Sequence, residues 1–109
     1  MTDREARIAK NESIAREINE GIGEAMAESS PEGYLRMLCE CGRTDCERLI
    51  AISLAEYEEA RQDPRRFVIV QEHLIPDVED IVEEKDRFVV VQKREGTPAS
   101  VAETNDPRD

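Results

Sequence analysis

The sequence predicts an α+β domain: a small antiparallel sheet with a zinc-knuckle hairpin, a long N-terminal helix and one short second helix. Apolar residues recur at helical spacing in the first 28 residues, whereas the remainder holds short β-branched runs separated by turn residues. Three cysteines fall in one stretch, Cys39-Glu40-Cys41-Gly42-Arg43-Thr44-Asp45-Cys46, and the chain has no other cysteine and a single histidine, His73. At 109 residues it is one domain, with a thin stability margin. No Trp, two Tyr and two Phe leave few large core anchors, so a cross-link, metal or partner is physically needed.

Thr2-Asp3-Arg4-Glu5 has the form of a capping box, and Ile8, Ala15, Ile18, Ile22 and Met26 follow on one helical face, with Arg7, Arg16, Glu17, Glu20 and Glu24 on others. The reading is an amphipathic helix over residues 1–28, its last turns weakened by Gly21 and Gly23 at about 1 kcal/mol each relative to Ala. Residues 29–33 are linker chemistry. A metal-stapled domain is expected over 34–93. Within it, 34–38 and 48–52 suit strands entering and leaving the cysteine cluster around the turn Gly42-Arg43-Thr44-Asp45. Ser53-Leu54-Ala55-Glu56 is a second capping box, starting a short helix with Leu54, Tyr57 and Ala60 on one face and Asp63-Pro64 at its end. Strands are expected over 66–70, 78–82 and 87–92. The last is apolar on both faces at Phe88 to Val91, as a central strand requires. Residues 94–109 have almost nothing to bury and read as a disordered tail.

The charge balance excludes some partners. Fifteen Lys and Arg against 26 Asp and Glu give a net charge of −11, and neither residues 1–30 nor 31–109 hide a basic module, so nucleic acid is not an expected ligand. The excess keeps the chain soluble and offers an acidic face to a basic protein partner. No stretch approaches the ~20 apolar residues needed to cross a bilayer, and no apolar signal core follows the N-terminus. A cytoplasmic location is expected. Thiols there stay reduced, and three is an odd number, so metal chemistry is favoured over disulfides.

Three thiolates and one imidazole make a Cys₃His set for Zn²⁺, with Cys39, Cys41, Cys46 and His73 as ligands. Such a set leaves no position for water or substrate, so the site is structural. Its net charge of −1 calls for compensation, for which Arg36, Arg43 and Arg48 are candidates. The fourth ligand is the open point: Asp45, Glu40, Glu72 or a cysteine from a second subunit are substitutes for His73. Adjacent thiols also suit Cu(I) or a metalloid, whereas an iron–sulfur cluster wants a fourth cysteine. Catalysis is poorly served. Glu79-Asp80 and Glu83-Glu84 are paired carboxylates in a run that reads as solvated, and there is no phosphate loop and no serine beside a base.

Arg7 to Glu12, Glu17-Ile18-Asn19-Glu20, Cys39-Glu40-Cys41, Cys46, residues 54–61, Phe67-Val68 and His73 together resemble a set of uncharacterised small actinobacterial proteins. The resemblance spans residues 4–93. It implies an N-terminal helix, a cysteine-rich hairpin, a short helix and a histidine ahead of a β-hairpin, and carries no activity with it. Where those proteins have Gly before the histidine, this chain has Glu72. The functional expectation is a non-enzymatic zinc-binding module for protein interaction or regulation. A thiol-based metal, metalloid or redox sensor using the same cysteines is the alternative. The N-terminal helix is expected to pack on the sheet, and any apolar surface it leaves over would serve a protein partner or its own copy in a homodimer.

Overall fold

The structure, a computed structural model, describes residues 3–26, 33–43, 46–76 and 78–94. The expected tail therefore lies outside the described residues except Arg94, as does the linker except Gly33; Thr2, Asp45 and the side chain of Glu5 lie outside them too. The order is α1 (Asp3–Ala25), β1 (Tyr34–Leu38), β2 (Leu49–Ser53), α2 (Leu54–Ala60), β3 (Arg66–Ile69), a 3₁₀ turn (Gln71–His73), β4 (Glu79–Glu84) and β5 (Val89–Lys93). This is the α+β class the sequence predicts, with two small antiparallel sheets where one was expected. β1 pairs with β2, and a second sheet has the order β3-β5-β4.

Local chemistry explains the short elements. Ser53 caps α2 by accepting from the Glu56 amide at 3.1 Å, while the Glu56 carboxylate accepts from the Ser53 amide at 3.0 Å. This reciprocal pair satisfies two amides that a helix start leaves open. β5 is central, and Val89, Val90 and Val91 are all buried, as their two-faced apolar character requires. The register of β4 on β5 slips between Ile81 and Glu83, leaving Val82 in a bulge and half-exposed.

The core forms where the sheets meet α2: Met37, Ile50, Ile52, Tyr57, Phe67 and Val68 are at most 2% exposed. α1 differs from expectation. Its inward face is Ile8, Ala9, Glu12, Arg16, Asn19 and Gly23, whereas Ile14 and Ile18 are each 47% exposed and Met26 39%. The physical reason lies in what the helix covers. α1 packs on open strand edges, whose unpaired amides and carbonyls demand polar partners. Asn19 gives the free edge of β1 a strand-like pair of bonds, donating to the Leu38 carbonyl at 2.9 Å and accepting from the Leu38 amide at 2.8 Å. Arg16 donates to the carbonyls of Pro64 and Arg66 at 2.6 and 2.8 Å and stacks 3.8 Å from the centre of the Phe67 ring.

One ion cluster ties the two ends of the described chain together. Lys93 of β5 bridges Glu12 of α1 and Glu79 of β4, and all three side chains are at most 2% exposed. Glu79 thus departs from the solvated reading of its segment. It sits directly opposite Lys93 in the β4–β5 register, on the inward side of a strand that alternates. Asp80, the next residue, is exposed and pairs with Arg94.

Candidate metal centre

Cys39 and Cys41 follow β1 in an extended segment that still bonds like a strand: the Cys39 amide donates to the Arg48 carbonyl at 3.0 Å, and the Glu40 amide to the Val68 carbonyl at 2.7 Å. Extended chain alternates its side chains. The two-residue spacing therefore places both sulfurs on one side and Glu40 on the other. Cys46 lies just before β2, and His73 ends the 3₁₀ turn that follows β3. The His73 amide donates to the Val70 carbonyl at 3.0 Å, which fixes that turn.

These four side chains converge. Their ligand atoms all lie within 4.8 Å of one another, close enough to bind a metal. His73 Nδ1 is 3.6 Å from Cys39 Sγ, 3.3 Å from Cys41 Sγ and 3.4 Å from Cys46 Sγ. A tetrahedral zinc, with bonds of about 2.3 Å to sulfur and 2.0–2.1 Å to nitrogen, separates its nitrogen and sulfur ligands by about 3.6 Å. A ring nitrogen has one hydrogen or one lone pair, so it cannot bond three sulfurs at once. Three near-equal contacts at one nitrogen fit a shared ion better than a hydrogen-bonded cluster.

Each sulfur also meets a backbone amide. Val70 N–H donates to Cys39 Sγ at 3.2 Å, and the amides of Arg43 and Arg48 reach Cys41 and Cys46, each two residues on. The charge compensation expected of arginine side chains thus comes from the main chain. The guanidinium groups of Arg43 and Arg48 turn instead to Glu72: Arg43 donates to its carbonyl at 3.5 Å, and Arg48 lies 3.7 Å from its carboxylate. Both tether the turn that carries His73. The Cys41 thiol is held down to about 5, first by a hydrogen bond from Cys39 and also by the Arg43 amide. The same hydrogen bond, with burial, pushes Cys39 up, and burial pushes Cys46 up. A thiolate already favoured at Cys41 suits a first metal ligand.

Glu40, a substitute ligand by sequence, points away from the sulfurs into the interior. It is 0% exposed and accepts from Tyr57 Oη at 2.9 Å, Asn19 Nδ2 at 3.0 Å and the Val68 amide at 3.1 Å. Burial pushes its carboxyl up, opposed by the Arg16 charge. Reading two residues per repeat through Cys39-Glu40-Cys41 is the signal that would have found this inward carboxylate. Glu72 is exposed, with its carboxylate toward Arg48.

The outward-facing groups of β3 are satisfied one by one by this construction. The Arg66 carbonyl takes Arg16, both backbone groups of Val68 take Glu40, and the Val70 amide takes the Cys39 sulfur. α1 closes the other flank, where Asn11 donates to the Gly42 carbonyl at 3.0 Å. Gly42 is there because of that approach: a Cβ on it would lie 2.4 Å from Ile8 Cγ2 and 3.0 Å from Ile8 Cα. Among the described residues, this is the only group of three or more Cys, His, Asp and Glu side chains placed to hold a metal, and no helix is long and apolar enough to cross a membrane. No protein-family model, curated protein or solved structure matches the chain.

Proposed function

We propose that this chain is a non-enzymatic, cytoplasmic zinc-binding module for protein interaction or regulation, held together by a structural Cys₃His site. The observation that carries the reading is the near-equal distance of His73 Nδ1 from three sulfurs, at 3.3–3.6 Å. Thiolate and imidazole ligands in tetrahedral array favour zinc over harder cations. Four protein ligands fill its coordination and leave no place for a substrate, which supports a structural role over a catalytic one. Placement in the fold supports the same role. The ligands come from the β1–β2 hairpin and from the end of β3, so one ion would fasten the two sheets to each other.

Native mass spectrometry of the purified protein tests this. One zinc per chain is expected, lost in Cys46→Ser and in His73→Ala; a metal-free chain that is equally stable with and without chelator refutes it. The sensor alternative has one observation in its favour. The three sulfurs line a cleft of about 150 Å³ beside Ile14, Ala15 and Ile18, and Cys46 is the least buried of them. Thiol labelling of the folded holoprotein separates the two. A structural site keeps all three cysteines unreactive until unfolding, and a sensor reacts while folded.

A further inference from the structure

We propose that the outer face of α1 is a self-association surface, which pairs antiparallel with the same face of a second copy of this chain. The starting observation is the inversion of α1. Its polar residues are spent inside, and two β-branched apolar residues one turn apart, Ile14 and Ile18, are left half-exposed on the outside. They are not scattered. Ile14, Ala15 and Ile18 share one cleft with Leu38, and Leu38 stands across the β1–β2 ladder from Leu49, itself 52% exposed. A strip of this kind exceeds the isolated exposed apolar residue that needs no explanation.

Gly21 supplies a second, independent observation. It lies on the same outer face, within a helix that continues to Ala25, and a Cβ placed on it would have nothing within 4 Å. Glycine weakens a helix interior, and no contact among the described residues requires it here. Close approach of a second copy would give it a use.

Charge selects the occupant. Along this face the exposed residues before the isoleucines are basic, Arg7 and Lys10, Glu17 lies between the two isoleucines, and Glu24 after them is acidic. A two-fold axis at the level of Arg16 sets Ile14 against the partner's Ile18 and brings Lys10 beside the partner's Glu24. The stem of Lys10 then crosses the partner's Gly21. A parallel arrangement instead stacks like charges on one another. Apart from Glu17, which meets its own copy in either sense, the face is complementary to itself only in the antiparallel sense, which is the condition for a closed, isologous dimer. Contact along one helix and a short strip is small, so the dissociation constant belongs in the micromolar range.

Sedimentation equilibrium of the full chain between about 1 and 500 µM, with circular dichroism and metal content measured alongside, tests the proposal. The expected result is a monomer–dimer equilibrium, its dissociation constant raised about hundredfold or more by Ile14→Glu with Ile18→Glu. Lys10→Glu should raise it about tenfold, and Lys10→Glu with Glu24→Lys should restore it. Helicity should not change, because every substituted side chain is exposed or half-exposed. Ile14 and Ile18 line the cleft that the three sulfurs share, so metal content is the control for that variant, and the Lys10 and Glu24 variants, outside the cleft, test the pairing independently of it. A chain monomeric at the highest concentration, or a dimer indifferent to these substitutions, overturns the proposal. Neither outcome bears on metal binding, which the same samples report separately.

Discussion

Replacing Glu12 with Gln isolates the energetic role of the buried ion cluster. Two carboxylates share one ammonium there, and burial pushes the Glu12 carboxyl from its ordinary 4.5 up to about 7, with Lys93 opposing and Glu79 adding to the rise. A raised carboxyl pKa means that the folded chain binds its proton more tightly than the unfolded chain. Stability from this group is therefore full below about pH 4.5 and is lost as the pH climbs through 7. Integrating the linkage from pH 5 to pH 8 with those two values gives a loss of about 2.5 kcal/mol. Metal ligands titrate as well and favour the folded state at higher pH, so the raw stability curve mixes opposing effects. The difference between parent and Glu12→Gln removes the shared part. Urea unfolding of both proteins at half-unit pH steps, at fixed zinc, should show the parent gaining about 2.5 kcal/mol on the variant from pH 8 down to pH 5. Parallel curves, separated by a constant, would falsify the linkage and place Glu12 as an ordinary ion-pair partner of Lys93.

Three further outcomes follow from the geometry. Glu40→Gln is nearly isosteric yet should cost about 1–3 kcal/mol in chemical denaturation, because Tyr57 and Asn19 both donate to one carboxylate oxygen and Val68 to the other, so an amide NH₂ meets a donor wherever it turns; an unchanged midpoint would contradict the assigned bonds. Gly42→Ala should destabilise by about 1–3 kcal/mol through its clash with Ile8, and Ile8→Ala should return only part of that, since Ile8 Cα itself lies 3.0 Å away; full additivity in a double-mutant cycle would show that helix and hairpin do not touch there. Chelation should lower the thermal midpoint of the parent sharply and leave His73→Ala almost unmoved, as scanning calorimetry would record; equal shifts in both would mean that the histidine is no ligand.

Much of the site was legible because its residues are chemically distinctive. Three cysteines and one histidine in an aromatic-poor chain have few uses, and the structure brings all four together. The α2 cap and the central position of β5 were equally readable, since each rests on neighbouring residues or on a run apolar on both faces. The docking of α1 was not. Glu12, Arg16 and Asn19 belong to types that normally face water; the unpaired edges of β1 and β3 make Arg16 and Asn19 interior, and Lys93 does so for Glu12. Nothing local announces which strand edges a distant helix will cover. Glu79 and Glu40 were misplaced for a related reason: their inward direction follows from alternation along a strand whose ends the sequence sets only loosely. The bulge at Val82 also carries β4 on to Glu84, past the expected end at residue 82.

The sealing of β3 has a consequence for how this protein would fail. A strand with open amides on one side is a template for another molecule's backbone, and here a cysteine sulfur and its neighbouring glutamate occupy that side. If loss of the ion frees residues 39–41, what comes into view is an adhesive border flanked by Phe67, Val68 and Ile69, in place of a solvated loop. Depleted protein should then precipitate as β-rich assemblies at concentrations where the loaded form stays clear. The same few atoms that fasten the fold would also guard it against its neighbours.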